Sequence, residues 1–138
     1  MNPILFLDFD GVLHPTHFAG ENPFNRIDLL DDVLSMFSPE IVISSSWRFT
    51  HSIKTMQNLL PSNISKLIIG TTGAPATGKH PRFQEIQAYL RIHGQANWRA
   101  LDDSYWEFPN PCPELIRCNP NTGISNKQVD ILSTWLAQ

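Results

Sequence analysis

Five short apolar runs recur along the chain, ILFLDF (4–9), EIVISS (40–45), KLIIG (66–70), WRALDD (98–103) and ELIRC (114–118), each bounded by turn-forming residues. Between them lie stretches whose patterning suits helices, at 26–37, about 49–60, 82–93 and 126–136, the last with Ser125 placed to cap it. A helix between two strands returns the chain to the same end of the sheet, so the alternation predicts parallel strands covered by helices on both faces. The expected architecture is α/β: a three-layer α/β/α, Rossmann-like domain with a mainly parallel five-stranded sheet. In such sheets the working loops gather beyond the carboxyl ends of the strands.

The 138 residues suffice for one continuous core and not for two, so residues 1–138 are expected to form a single domain. Short crossovers leave nothing for a large cap over the strand ends. FPNPCPELIRCNPNTG (108–123) reads as two loops around one short edge strand, because proline cannot donate to a central ladder. A net charge of -3, with 17% charged residues, lacks the basic excess of a general nucleic-acid binder, so a phosphate group must be caught locally. No stretch reaches membrane-spanning length, and the N-terminus has neither a basic start nor a cleavage site. A cytoplasmic protein without membrane association is the expectation. Cys112 and Cys118 lack zinc-knuckle spacing and read as unlinked structural thiols.

The chemistry concentrates where the strands end. In FLDFDGVLHP (6–15) a strand closes in two aspartates one residue apart, then glycine. Side chains two apart on an extended chain point the same way, so Asp8 and Asp10 face one point. Like charges there repel, which is a cost to the fold unless a cation or a reaction uses them. Gly11 lets the chain turn tightly beside the pair. Asp102 and Asp103 close a second apolar strand, and the two acidic ends meet if those strands are neighbours. Oxygen ligands with open positions suit Mg2+, which keeps waters and bridges to phosphate, making Asp8, Asp10, Asp102 and Asp103 candidate ligands. VISSSWR (42–48) sets Ser44, Ser45 and Ser46 at the same edge, where hydroxyls and free amides suit phosphate oxygens. TGKHPRFQEI (77–86) offers Lys79 and Arg82, one of which neutralises a phosphoryl group or steadies an acidic neighbour. His14 and His17 are not read as metal ligands, since imidazole prefers softer ions, and contact with substrate as rim residues is the lesser reading for them. Trp47, Tyr105 and Trp106 follow strand ends, where they either pack or stack on a base.

Together these motifs resemble the haloacid dehalogenase (HAD) superfamily of phosphohydrolases, and more narrowly its small capless members related to the phosphatase domains of RNA-repair proteins. The likeness spans nearly the whole chain: D-x-D-G in FLDFDGVLHP, a hydrophobic strand ending in serine in IVISSSWR, a basic residue near a helix start, and an acidic pair in ALDDSYW. It implies that Asp8 is a nucleophile forming an aspartyl phosphate and Asp10 the general acid and base, with its backbone carbonyl on the metal. It implies Asp103 as the direct metal ligand of the second pair, and Asp102 as either an orienting group for the base or a ligand through water. Ser45 fits the phosphate-binding position, with Ser44 as its rival. Arg82, which opens an R-x-x-E-I run like that of the capless relatives, is preferred to Lys79.

The activity so implied is Mg2+-dependent hydrolysis of phosphate monoesters. An open site without a lid favours a large substrate, such as a nucleotide or a nucleic-acid end, and no obligate protein partner is inferred. Two other readings stay open: a non-catalytic phosphate-binding or regulatory module, and a phosphotransferase that passes the group to an acceptor other than water.

Overall fold

The computed structural model describes residues 2–17, 23–94 and 97–138. Strands β1 (Ile4–Leu7), β2 (Glu40–Ile43), β3 (Ile68–Thr71), β4 (Trp98–Asp102) and β5 (Leu115–Arg117) form one sheet in the order β3-β2-β1-β4-β5. Every pairing is parallel, so the expected α/β sheet is not merely mainly but wholly parallel. Helices α1 (Ile27–Leu34), α2 (Ile53–Asn58), α3 (Ser62–Ser65), α4 (Pro81–His93) and α5 (Asn126–Leu136) complete the layers.

Strand alternation divides the core in two. Leu5 and Leu7 of β1 and Ile41 and Ile43 of β2 point to the side of α1, α3 and α5, where Leu30, Leu34, Ile64 and Leu132 meet them. Ile4, Phe6 and Val42 point the other way, against Ile86 and Leu90 of α4. This buried row on each face gives the strand ends a rigid base. Among the described residues no large cap stands over the carboxyl edge of the sheet. No helix among them is long and apolar enough to cross a membrane. Cys112 and Cys118 are both free thiols.

The helix expected at about 49–60 is shorter than that, α2 at Ile53–Asn58. Ser46–Phe49 forms a 3-10 turn, and Ser52 then starts α2 by accepting a hydrogen bond from the Thr55 N–H at 3.1 Å. Pro61 disfavours helical backbone at the residue before it and lies immediately ahead of α3, where its missing N–H costs nothing. The first helix is also shorter than expected, ending at Leu34, where the Ser35 hydroxyl donates to the Asp32 carbonyl at 2.6 Å. The last runs over the expected residues: Ser125 donates from its N–H to Gln128 Oε1 at 2.9 Å and from its hydroxyl to the same atom at 2.6 Å.

Candidate active site

Register alone brings the acidic strand ends together. Leu7 is paired with Ile43 on one side and Leu101 on the other, and Ile43 with Thr71. One step further along, Thr72, Ser44, Asp8 and Asp102 therefore stand in a row across four strands. The ladder extends through them: the Asp8 N–H donates to the Leu101 carbonyl at 3.1 Å, Ser44 to Leu7 at 3.0 Å and Thr72 to Ile43 at 3.0 Å. Asp8 continues the alternation of Ile4 and Phe6, so it lies on the face covered by α4.

Helix α4 supplies the cation. Arg82, in its first turn, donates from Nη1 to Asp102 Oδ2 at 2.7 Å and stands 3.5 Å from Asp8 Oδ1. Asp102 Oδ1 is held in turn by the Ser104 N–H at 3.0 Å, so both oxygens of this buried carboxylate are engaged. Asp8 Oδ1 accepts the Phe9 N–H at 2.9 Å, while its Oδ2 accepts no hydrogen bond from the described residues. Asp103 is more loosely kept, by a 3.3 Å hydrogen bond from the Thr16 hydroxyl to Oδ2.

One carboxylate oxygen each from Asp8, Asp102 and Asp103 lies within 4.8 Å of the others. Burial, and after it the Asp102 charge, push the Asp8 carboxyl well above its ordinary range; Arg82 and the Phe9 N–H offset only part of this. Burial raises Asp102 as well, against the pull of Arg82. For Arg82, burial opposes the charge but Asp102 and Asp8 outweigh it, and the guanidinium stays charged at any working pH. Three hard oxygens gathered this closely, with a guanidinium beside two of them, suit a divalent cation of the Mg2+ type. Gly11, at φ +77°, wraps this cluster so tightly that a Cβ there would collide with the Asp103 carboxyl. Gly11→Ala is accordingly expected to displace Asp103 and to cost about 1–2 kcal/mol in backbone strain. Titration calorimetry with Mg2+ should show binding weakened at least roughly tenfold in a variant whose circular dichroism stays that of a folded protein.

The carboxylate of Asp10 is not part of that trio. Its side chain, 43% exposed, accepts from His14 Nε2 at 2.7 Å on Oδ1 and from Trp47 Nε1 at 3.2 Å on each oxygen. Of the four side chains expected to ligate a metal, three bring an oxygen within 4.8 Å of one another, and that of Asp10 is engaged elsewhere. His14 is no rim residue: it is fully buried, and its ring is hydrogen-bonded to the half-exposed Asp10. The turn explains this, because the Val12 and Leu13 N–H groups both return to the Phe9 carbonyl and fold His14 back over Asp10.

The serines part company according to the pleat. Ser44 lies in the row beside Asp8, buried, with a hydroxyl that has no hydrogen-bond partner among the described residues; Thr72, next in the row, is in the same condition. Ser45 points its hydroxyl at the Trp47 N–H, 3.2 Å away, and caps the 3-10 turn. Ser46, at the start of that turn, is exposed. Lys79 is exposed in the loop before α4, and among the described residues its side chain reaches none of the acids. Arg48 and Glu85 form a support that the motif reading did not include. Arg48 donates to the carbonyls of Ser44 (2.9 Å), Ser45 (3.1 Å) and Gly73 (3.1 Å), and pairs with Glu85 at 2.9 Å. Glu85 lies beneath Arg82, 3.6 Å from its Nε, and accepts the Ala76 N–H at 3.0 Å. The R-x-x-E spacing, one helical turn, was the available signal for Glu85. Nothing local signals Arg48.

A capless parallel sheet with its acids and a buried arginine at the carboxyl edge defines a Rossmann-like α/β domain of the HAD type. The family model for the HAD domain in Swiss Army Knife RNA repair proteins matches residues 4–129, and the chain belongs to that family. Phosphohydrolase-type chemistry is the class of activity that membership indicates. No curated protein and no solved structure matches the chain.

Proposed function

We propose that the protein is a Mg2+-dependent phosphatase, hydrolysing phosphate monoesters through an aspartyl phosphate on Asp8, with nucleotides or nucleic-acid ends as substrates. The observation that carries this reading is the division of labour between two aspartates one residue apart. Asp8 is buried beside Arg82 with one oxygen unbonded among the described residues, while Asp10 is half open to solvent and held by donors of its own.

In this reading Asp8 Oδ2 attacks phosphorus as the ester bond breaks, and Asp10 gives its proton to the departing oxygen. Water then attacks the aspartyl phosphate, Asp10 takes a proton from it, and the Asp8 carboxylate is restored. Ser44, its hydroxyl unclaimed, is the phosphate contact; Asp102 orients Arg82, and Asp103 with Asp8 and the Asp10 carbonyl would hold the cation. A bound Mg2+ would supply charge neutralisation at the phosphoryl oxygens.

The substrate class rests on what surrounds the edge. Without a cap, enclosure must come from the substrate, which favours a large one. Tyr105 and Trp106 follow β4 and are 68% and 62% exposed, with the Arg117 guanidinium 5.1 Å from the Tyr105 ring centroid. Aromatic faces so displayed suit base stacking, worth about 1–3 kcal/mol per base. The RNA-repair description of the family points the same way.

The test is phosphate release from aryl phosphate, mononucleotides and 3′- and 5′-phosphorylated oligonucleotides, with Mg2+ and with chelator. The expected result is Mg2+-dependent release, fastest from the nucleotide or oligonucleotide substrates. Binding of these compounds without release would instead favour a phosphate-binding module, and phosphate recovered on an added alcohol would favour a phosphotransferase.

A further inference from the structure

We infer that His14 is a positioning residue that pins Asp10 by its Oδ1, so that Oδ2 is the oxygen from which the acid–base proton moves; the inference rests on the phosphatase reading above. The direction of the contact follows from the other side of the ring. The Phe24 N–H donates to His14 Nδ1 at 3.0 Å, so in the neutral imidazole the hydrogen sits on Nε2 and is donated to Asp10 Oδ1 at 2.7 Å. His14 is fully buried, with the rings of Phe24 and Trp47 5.3 and 6.1 Å from its own, so it cannot follow a swinging carboxylate.

Trp47 Nε1 is equidistant from the two Asp10 oxygens, at 3.2 Å, and contributes to both alike. The asymmetry is therefore due to His14. An oxygen that already accepts a short N–H bond is a poor place for a further proton, so a neutral Asp10 carries its proton on Oδ2. Transfer then balances: Oδ2–H passes its proton to the leaving oxygen as that oxygen separates from phosphorus and Asp8 Oδ2 bonds to it. On the return, water adds to phosphorus, its proton goes to Asp10 Oδ2, and the Asp8–phosphorus bond breaks. A half-exposed carboxylate without this anchor would sample several side-chain torsions, and a displacement of about 1 Å can cost on the order of 10²-fold in rate.

Two substitutions separate the halves of the ring. In His14→Asn the amide oxygen can take the place of Nδ1 and keep the Phe24 contact, while the donor to Asp10 is lost. In His14→Gln the longer amide N–H can replace Nε2 and restore that donor. The assay compares kcat/KM for an alkyl phosphate, whose leaving group needs a proton, with that for p-nitrophenyl phosphate, whose leaving group scarcely does. His14→Asn should lose about 10–100-fold on the alkyl ester and less than about threefold on the aryl ester, with His14→Gln recovering most of the loss. Equal losses on both esters, full alkyl activity in His14→Asn, a Gln variant no better than Asn, or a His14→Asn protein that does not fold would each overturn the proposal. A readout independent of turnover is the Trp47 indole N–H resonance, assigned with Trp47→Phe: it should move in His14→Asn and return in His14→Gln, and an unmoved resonance overturns the proposal. A parent protein that cleaves neither ester would sink the phosphatase reading, and the indole resonance would still decide whether His14 holds Asp10.

Discussion

Asp8→Asn is expected to abolish phosphate release, by roughly 10⁴-fold or more for loss of a nucleophile, while making the metal-free fold more stable rather than less. The two halves of this result have one cause. The Asp8 carboxyl is raised by burial and by Asp102 and Asp103, so the folded protein holds that proton more tightly than the unfolded chain does. Unfolding therefore releases protons once the pH passes the ordinary aspartate value near 3.8, and the stability of the metal-free parent falls as pH rises from there through the raised value. Asparagine keeps an acceptor for the Phe9 N–H and removes the charge. Thermal melts with chelator should give the variant the higher midpoint at neutral pH, with a smaller difference near pH 4. The slope should shrink and not vanish, because Asp102 is raised too. Substantial turnover in a cleanly purified variant would remove Asp8 from the nucleophile's role. A lower neutral-pH melting point would show that the pair with Arg82 outweighs the repulsion.

Arg82→Ala should be the most damaging single change to the fold at this edge. It leaves Asp102 buried and deprived of its cation, with Asp8 alongside, and breaking a buried pair in this manner costs about 3–5 kcal/mol. Lys79→Ala, on an exposed loop side chain, should fall within about ±0.5 kcal/mol. Denaturant melts measure the two directly, and phosphate release should follow the same order, with Arg82→Ala losing nearly all activity and Lys79→Ala close to the parent. The opposite ranking would assign the phosphate-facing cation to Lys79.

The architecture was legible because period and punctuation carry it: apolar strands closed by acids and serines, with helical stretches between. The meeting of Asp8 with Asp102 was legible too, as soon as β1 and β4 are neighbours. The parts that escaped depend on single-residue steps or on distance. Ser44 and Ser45 are chemically identical, and only the pleat, fixed by where β2 ends, sends one to the row beside Asp8 and the other to cap a turn. His14 reads at most as a rim histidine until the double return to the Phe9 carbonyl is known, since that turn and not the residue type buries it. The later start of the second helix was written in Ser52, which caps it, but was outweighed by apolar spacing. Arg48 belongs to no motif. Its importance comes from carbonyls and a carboxylate brought to it by three separate segments.

That last contact changes how the edge of this sheet behaves as a material. Loops at the strand ends of an α/β domain are ordinarily its softest parts, free to open while the core stays closed. Here Arg48 and Glu85, 37 residues apart, staple the turn after β2, the loop after β3 and the start of α4 into one block whose charged side chains are almost wholly buried. Local fraying of any one piece strands a buried charge in another, so the three come apart together or not at all. The reactive edge thus shares the cooperativity of the hydrophobic layers beneath it.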